Sequence, residues 1–78
     1  SIYSEADKIK NALHECIQKL NKRPRHILEL RYFRDMNVSD ISKRLGISAN
    51  AVYIILCRTR EALAKCVQRK TRLAWKKS

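Results

Sequence analysis

Asn50, Tyr53, Ile54, Cys57 and Arg58 follow one another at the steps of three and one that stack side chains on one face of an α-helix. Together they suit the reading of base edges. An asparagine amide pairs bidentately with adenine, an arginine with guanine or a phosphate, a tyrosine hydroxyl donates to an acceptor, and isoleucine methyls pack on the methyl of thymine. Just upstream, Ile41-Ser42-Lys43-Arg44-Leu45-Gly46-Ile47-Ser48 reads as a short helix, a glycine turn and the start of a second helix. Gly46 can take the positive φ that ends the first helix, and Ser48 can cap the second by accepting a free backbone N–H. A helix-turn-helix of this kind offers its second helix to the major groove. Lys43, Arg44 and Ser48 would then stand near phosphates. Plainer roles compete with these: Lys43 and Arg44 as a solvated face, Ser48 as a cap, Cys57 as a small inert residue, Ile55 as core, and Ile54 as core or contact.

The elements that must carry this face are all helical. Behind a Ser4 cap, Ile9, Leu13, Cys16, Ile17 and Leu20 recur at helical spacing, which predicts a first helix over about residues 5 to 20. Asn21 can cap a second helix, with Pro24 in its first turn, where a missing N–H costs little; it should end near Phe33 or Arg34 and present Ile27, Leu28, Leu30, Tyr32 and Phe33. Asn37 with Asp40 reads as a capping box for a short third helix that buries Val38, Ile41 and Leu45. The fourth helix starts at Ser48 and meets no breaker before the C-terminus, with Val52, Leu56, Thr59, Leu63 and Val67 inside and Ala62 and Cys66 beside them. No β-period and no repeat appears. The expected fold is therefore all-α, one domain of 78 residues with a single small core and a long last helix.

Charge points the same way. The chain has 18 Lys and Arg against 7 Asp and Glu, a formal net charge of +11. The excess is absent from residues 1–20 and greatest from residue 48 onward, where the reading helix and its extension lie. Such a surface suits a polyanion; RNA or an anionic membrane would satisfy the charge as well as DNA does. The odd set Cys16, Cys57 and Cys66 contains no C-x-x-C, and His14 and His26 fit no zinc-finger spacing, so neither a disulfide frame nor a metal site is expected, and a reduced, cytoplasmic setting is. No signal peptide and no membrane-length apolar run is present. No nucleophile with a base, carboxylate pair or phosphate-cradling glycine loop can be assembled, which argues against an enzyme and against a cofactor. The absence of an initiator Met suggests a fragment of a longer chain, and Gln68 to Ser78 with Trp75 reads as a helical extension or a frayed basic end.

From Leu20 to Leu63 the chain resembles region four of bacterial sigma factors, especially the short extracytoplasmic-function type, through Leu30-Arg31-Tyr32, the Leu45-Gly46-Ile47-Ser48 turn, Val52 and the Arg58-Thr59-Arg60 ending. The resemblance implies a four-helix bundle without a wing, whose last helix reads the minus-thirty-five promoter element in double-stranded DNA. It also implies that the first two helices grip the flap of the RNA polymerase β subunit, here through an apolar groove around Leu13, Ile17, Ile27 and Leu30, with an anti-sigma factor kept as a further partner. Region two, which melts promoters, would lie outside this sequence. Arg60, in the family's R-x-R, joins Lys43, Arg44 and Ser48 as a phosphate-facing residue. Tyr53 stands where the family usually has Lys or Arg and Ile54 where it has a small polar residue, so base reading rests more heavily on Asn50 and Arg58. Two other classes stay open. A LuxR-type effector domain has a similar turn but favours T-V-K-x-H after it, and an interaction module would account for the apolar Ile54.

Overall fold

The computed structural model describes the backbone of residues 4–75 and the side chains of residues 4–71, and the expectation for Trp75 and for the part of the basic tail beyond Thr71 falls outside those side chains. Among the described residues there are four helices and no strand: α1 (Glu5–Gln18), α2 (Lys22–Tyr32), α3 (Val38–Leu45) and α4 (Ala49–Trp75). The described residues group into two compact units. One draws on Ser1–Leu20 and Glu61–Ser78, the other is Asn21–Arg60.

The unit Asn21–Arg60 contains the helix-turn-helix and its own core. Ile27, Leu30, Ile41, Val52 and Leu56 are buried together, with Met36, Val38, Leu45, Ile47 and Ile55 packed around them half-exposed. Ile41 is the buried residue of α3, so Val38 and Leu45 border the core where burial was expected. Val38 and Leu45 are the first and last residues of the helix, and Ile41 lies between them on the same face. Thr59 is buried as well, and its hydroxyl donates to the Ile55 carbonyl at 2.6 Å, which removes the cost of an unpaired polar group.

The helix ends follow local chemistry. Asn37 Oδ1 accepts the Asp40 N–H at 2.8 Å, the forward half of the expected box. The reciprocal box occurs instead at α1, between Ser4 and Asp7. Asn21 is the N-cap of α2 without a side-chain hydrogen bond. Between α2 and α3 the chain turns through Asp35 at φ 56°, a left-handed position that aspartate tolerates, and the Met36 N–H closes the turn on the Leu30 carbonyl. α4 is not uninterrupted, as the lack of a proline or glycine had suggested: Thr71 leaves helical geometry at φ −111°, ψ 15°. Its hydroxyl bonds back to the Val67 carbonyl at 2.8 Å, a contact that weakens and bends helices.

In the other unit, α1 stops at Gln18, earlier than residue 20, and buries Ala12, Cys16 and Ile17. On the α4 side Leu63 is buried, Cys66 and Val67 are half-buried, and Ala62 is exposed. The cysteine expectation is overturned here: Cys16 and Cys66 form a disulfide, with Cα atoms 6.0 Å apart. Spacing rules missed it because the partners are 50 residues apart in sequence, and only the meeting of α1 with α4 brings them together. A loop of that length constrains the unfolded chain by about 4 kcal/mol in the chain-entropy description. Beside it, Lys70 Nζ lies 2.9 Å from a Glu15 carboxylate oxygen. The hydrogen bond and charge of Lys70 hold the Glu15 carboxyl below its ordinary range, and the same pairing raises Lys70.

Candidate nucleic-acid interface

The turn is built as glycine chemistry requires. Gly46 sits at φ 69°, ψ 32°, and the N–H groups of Gly46 and Ile47 both donate to the Ser42 carbonyl, at 2.9 and 3.1 Å. Two residues later the Ser48 hydroxyl accepts the Ala51 N–H at 3.0 Å, and α4 begins. α3 and the first half of α4 are thereby joined by a three-residue link, Gly46-Ile47-Ser48, whose conformation leaves little freedom.

With Val52, Leu56 and Thr59 turned into the core, helical periodicity sends the intervening positions outward. Asn50, Tyr53, Ile54, Cys57 and Arg58 are all exposed, Tyr53 at 60% and Ile54 at 41%. Ile54 is therefore a surface residue and Ile55 a core-bordering one. Cys57 is a free, exposed thiol. Lys43 and Arg44 occupy the last turn of α3 and are exposed, where their charges also complement the helix C-terminus. Arg60 is exposed but engaged: its guanidinium carbon lies 5.5 Å from the centre of the Tyr32 ring, and that of Arg31 lies 5.6 Å from the same ring. A guanidinium attracted by a ring keeps its N–H fork, so Arg60 can still meet a phosphate while Tyr32 restricts where it reaches.

Arg31 and Tyr32 entered the sequence reading only as part of a motif and as a presented ring. Their role beside Arg60 joins the end of α2 to the middle of α4, which spacing within either helix cannot reveal. A second feature went unread: Lys22, Arg23, Arg25 and His26, with Glu29 and Leu45, line an open depression of about 650 Å³. Its signal was present as the basic run in the first turn of α2, where no acidic residue stands. Positive charge at a helix N-terminus is unfavourable by itself and suits an approaching anion.

Of the four residues expected to line one apolar groove, Leu13 alone is exposed. Leu13 and Ile17 belong to the unit of α1, where Leu13 is 38% exposed and Ile17 buried. Ile27 and Leu30 lie in the core of the other unit at 0% and 3% exposure, so they are spent on that core. A domain this small needs most of the apolar positions of α2 inside.

No helix is long and apolar enough to cross a membrane among the described residues. Among the same residues, no group of three or more His, Cys, Asp or Glu gathers where a metal could be held. Neither a curated protein nor a solved structure is significantly similar to the chain. The family model described as Sigma-70, region 4 matches residues 10–63, which include the turn, the outward face of α4 and the whole of the unit Asn21–Arg60. This match decides against the LuxR-type alternative. With well over half of its length matched, and a capped helix-turn-helix presenting an exposed polar face, the chain belongs to the sigma-70 region 4 family, helix-turn-helix domains that recognise promoter DNA in transcription.

Proposed function

We propose that this chain is the minus-thirty-five-reading region of an extracytoplasmic-function-type sigma factor, acting in the cytoplasm in complex with RNA polymerase. The observation that carries the reading is the exposure of Asn50, Tyr53, Ile54, Cys57 and Arg58 on one face of α4, immediately after a Gly46 turn and a Ser48 cap, with Val52 and Leu56 buried behind them. In this reading α4 lies in the major groove, Asn50 and Arg58 pair with bases, and Tyr53 and Ile54 add a hydroxyl and a methyl contact. Lys43, Arg44, Ser48 and Arg60 meet phosphates and set register. The polymerase β flap meets α1 through Leu13 and Ile9, its large exposed apolar residues. Ile27 and Leu30 support the DNA-reading unit from within and take no part in that contact.

The test is selection of bound duplexes from a random DNA pool, with the domain alone and with core polymerase present. We expect one short enriched motif in both arms and stronger enrichment with polymerase. A pool that stays unenriched in both arms would favour the interaction-module reading, for which the exposed Tyr53 and Ile54 supply the apolar surface.

A further inference from the structure

We propose that the Cys16–Cys66 pair is a reversible thiol–disulfide switch that governs whether α1 is docked on the C-terminal half of α4. The proposal rests on the reading of the domain as a transcription module working beside DNA, because a thiol-rich compartment leaves disulfides conditional and not permanent. Three observations carry it. α1 buries only Ala12, Cys16 and Ile17, while Ile9 and Leu13 stay exposed, so apolar burial holds this helix weakly. Its cross-links to α4 include the disulfide and the neighbouring Glu15–Lys70 ion pair, and that pair is solvent-exposed on the Glu15 side and screened by salt. The two cysteines are also unequally buried: Cys16 is 2% exposed and Cys66 half-buried, which favours attack at Cys66.

The exchange balances with a low-molecular-weight monothiol as reductant. Its thiolate attacks the Cys66 sulfur, the S–S bond breaks, and Cys16 leaves as a thiolate that takes up a proton. A second monothiol then attacks its own kind in the mixed disulfide and releases Cys66, so two thiols are oxidised to one small disulfide as the protein gains two thiols. Oxidation runs the same steps in reverse. In the oxidised form α1 is tied down and Glu15 is kept on Lys70. In the reduced form α1 separates, Lys70 regains a free charge, and Cys16 and Ile17 join Ile9 and Leu13 on an open apolar stripe.

The full chain is equilibrated in buffers of reduced and oxidised glutathione at varied ratio, quenched with acid, alkylated with N-ethylmaleimide and weighed. At the oxidising end Cys57 should carry either one N-ethylmaleimide or one glutathione and Cys16 and Cys66 neither, all three cysteines should be labelled at the reducing end, and the change should fall inside the buffered range. Amide hydrogen exchange on the same samples should show α1 losing at least ten-fold protection on reduction, while Asn21–Arg60 keeps its own. The variants Cys16→Ser and Cys66→Ser should each exchange like the reduced chain in either buffer. Labelling of three cysteines at every ratio, retention of the disulfide in excess reduced glutathione, or α1 protection that is unchanged in the reduced chain or in both variants would each overturn the switch. None of these readouts involves DNA, so failure of promoter reading, seen in the duplex selection, is a separate result.

Discussion

Arg60 and Arg58 stand two positions apart on α4 and have different surroundings. Arg60 is drawn to the Tyr32 ring that Arg31 also approaches, whereas Arg58 is exposed on the outward face with Asn50. They should fail differently when removed. Arg58→Ala is expected to cost about 1 to 3 kcal/mol on the preferred duplex and to relax selectivity at one base pair, and Asn50→Ala to do so at another. Arg60→Ala, Lys43→Ala and Arg44→Ala should weaken preferred and scrambled duplexes about equally, because phosphates carry no sequence. Tyr53→Arg should raise affinity for all DNA and reduce discrimination. Titration of both duplexes at one salt concentration checks the set, and equal losses for Arg58→Ala on the two duplexes would remove α4 from base reading.

The turn between α3 and α4 converts residue chemistry into a presented face. Gly46 lies in the left-handed region with nothing within 4 Å of where a Cβ would stand, so an added methyl meets backbone strain and no clash. Gly46→Ala should therefore destabilise the domain by about 1 to 2 kcal/mol, the cost of left-handed geometry for a residue with a side chain. Gly46→Asn should recover part of it, since asparagine visits that region more readily. Ser48→Ala removes the acceptor of the Ala51 N–H and should cost about 0.5 to 2 kcal/mol. Urea unfolding with an unchanged slope checks both, because the packing behind the turn is untouched. A cost above about 4 kcal/mol for Gly46→Ala would mean that the turn is gripped by more than its own φ.

For the whole molecule, charge and cross-linking set the response to solution conditions. A surplus of eleven positive charges implies that duplex binding releases counterions, and neutralising about 4 to 6 phosphates gives a log–log salt slope on the order of −3 to −6. A slope near zero would leave the basic surface without a role in DNA binding. The Glu15–Lys70 pair adds a pH dependence whose direction follows from its shifts. Glu15 is lowered, so its contribution is complete above the ordinary carboxylate range and disappears as pH falls through the lowered value. Lys70 is raised, so its contribution is complete below the ordinary lysine range and disappears as pH climbs through the raised value. Glu15→Gln should thus lower the melting temperature slightly at neutral pH and leave it unchanged well below the carboxylate range; a gap that persists in acid would assign the effect to packing.

Local information in the chain was enough for the turn and for most of the helix ends, which neighbours in sequence decide. The spacing of Val52, Leu56, Thr59 and Leu63 determined which face of α4 turns inward, and so which residues remain outside. Gly46, Ser48 and Asn37 announced their turn and caps because each acts within a few residues of itself. The Leu-Arg-Tyr segment and the turn together carry the family resemblance in local sequence alone. Tertiary structure decided what depends on residues far apart in sequence. It placed Ile27 and Leu30 in a core where a groove had been expected, set Arg60 on Tyr32, and joined Cys16 to Cys66. The break at Thr71 also had to be seen in the fold, since threonine is compatible with either geometry. Helical periodicity says which face of a helix is apolar; only the packing of the helices says how much of that face is covered, and by what.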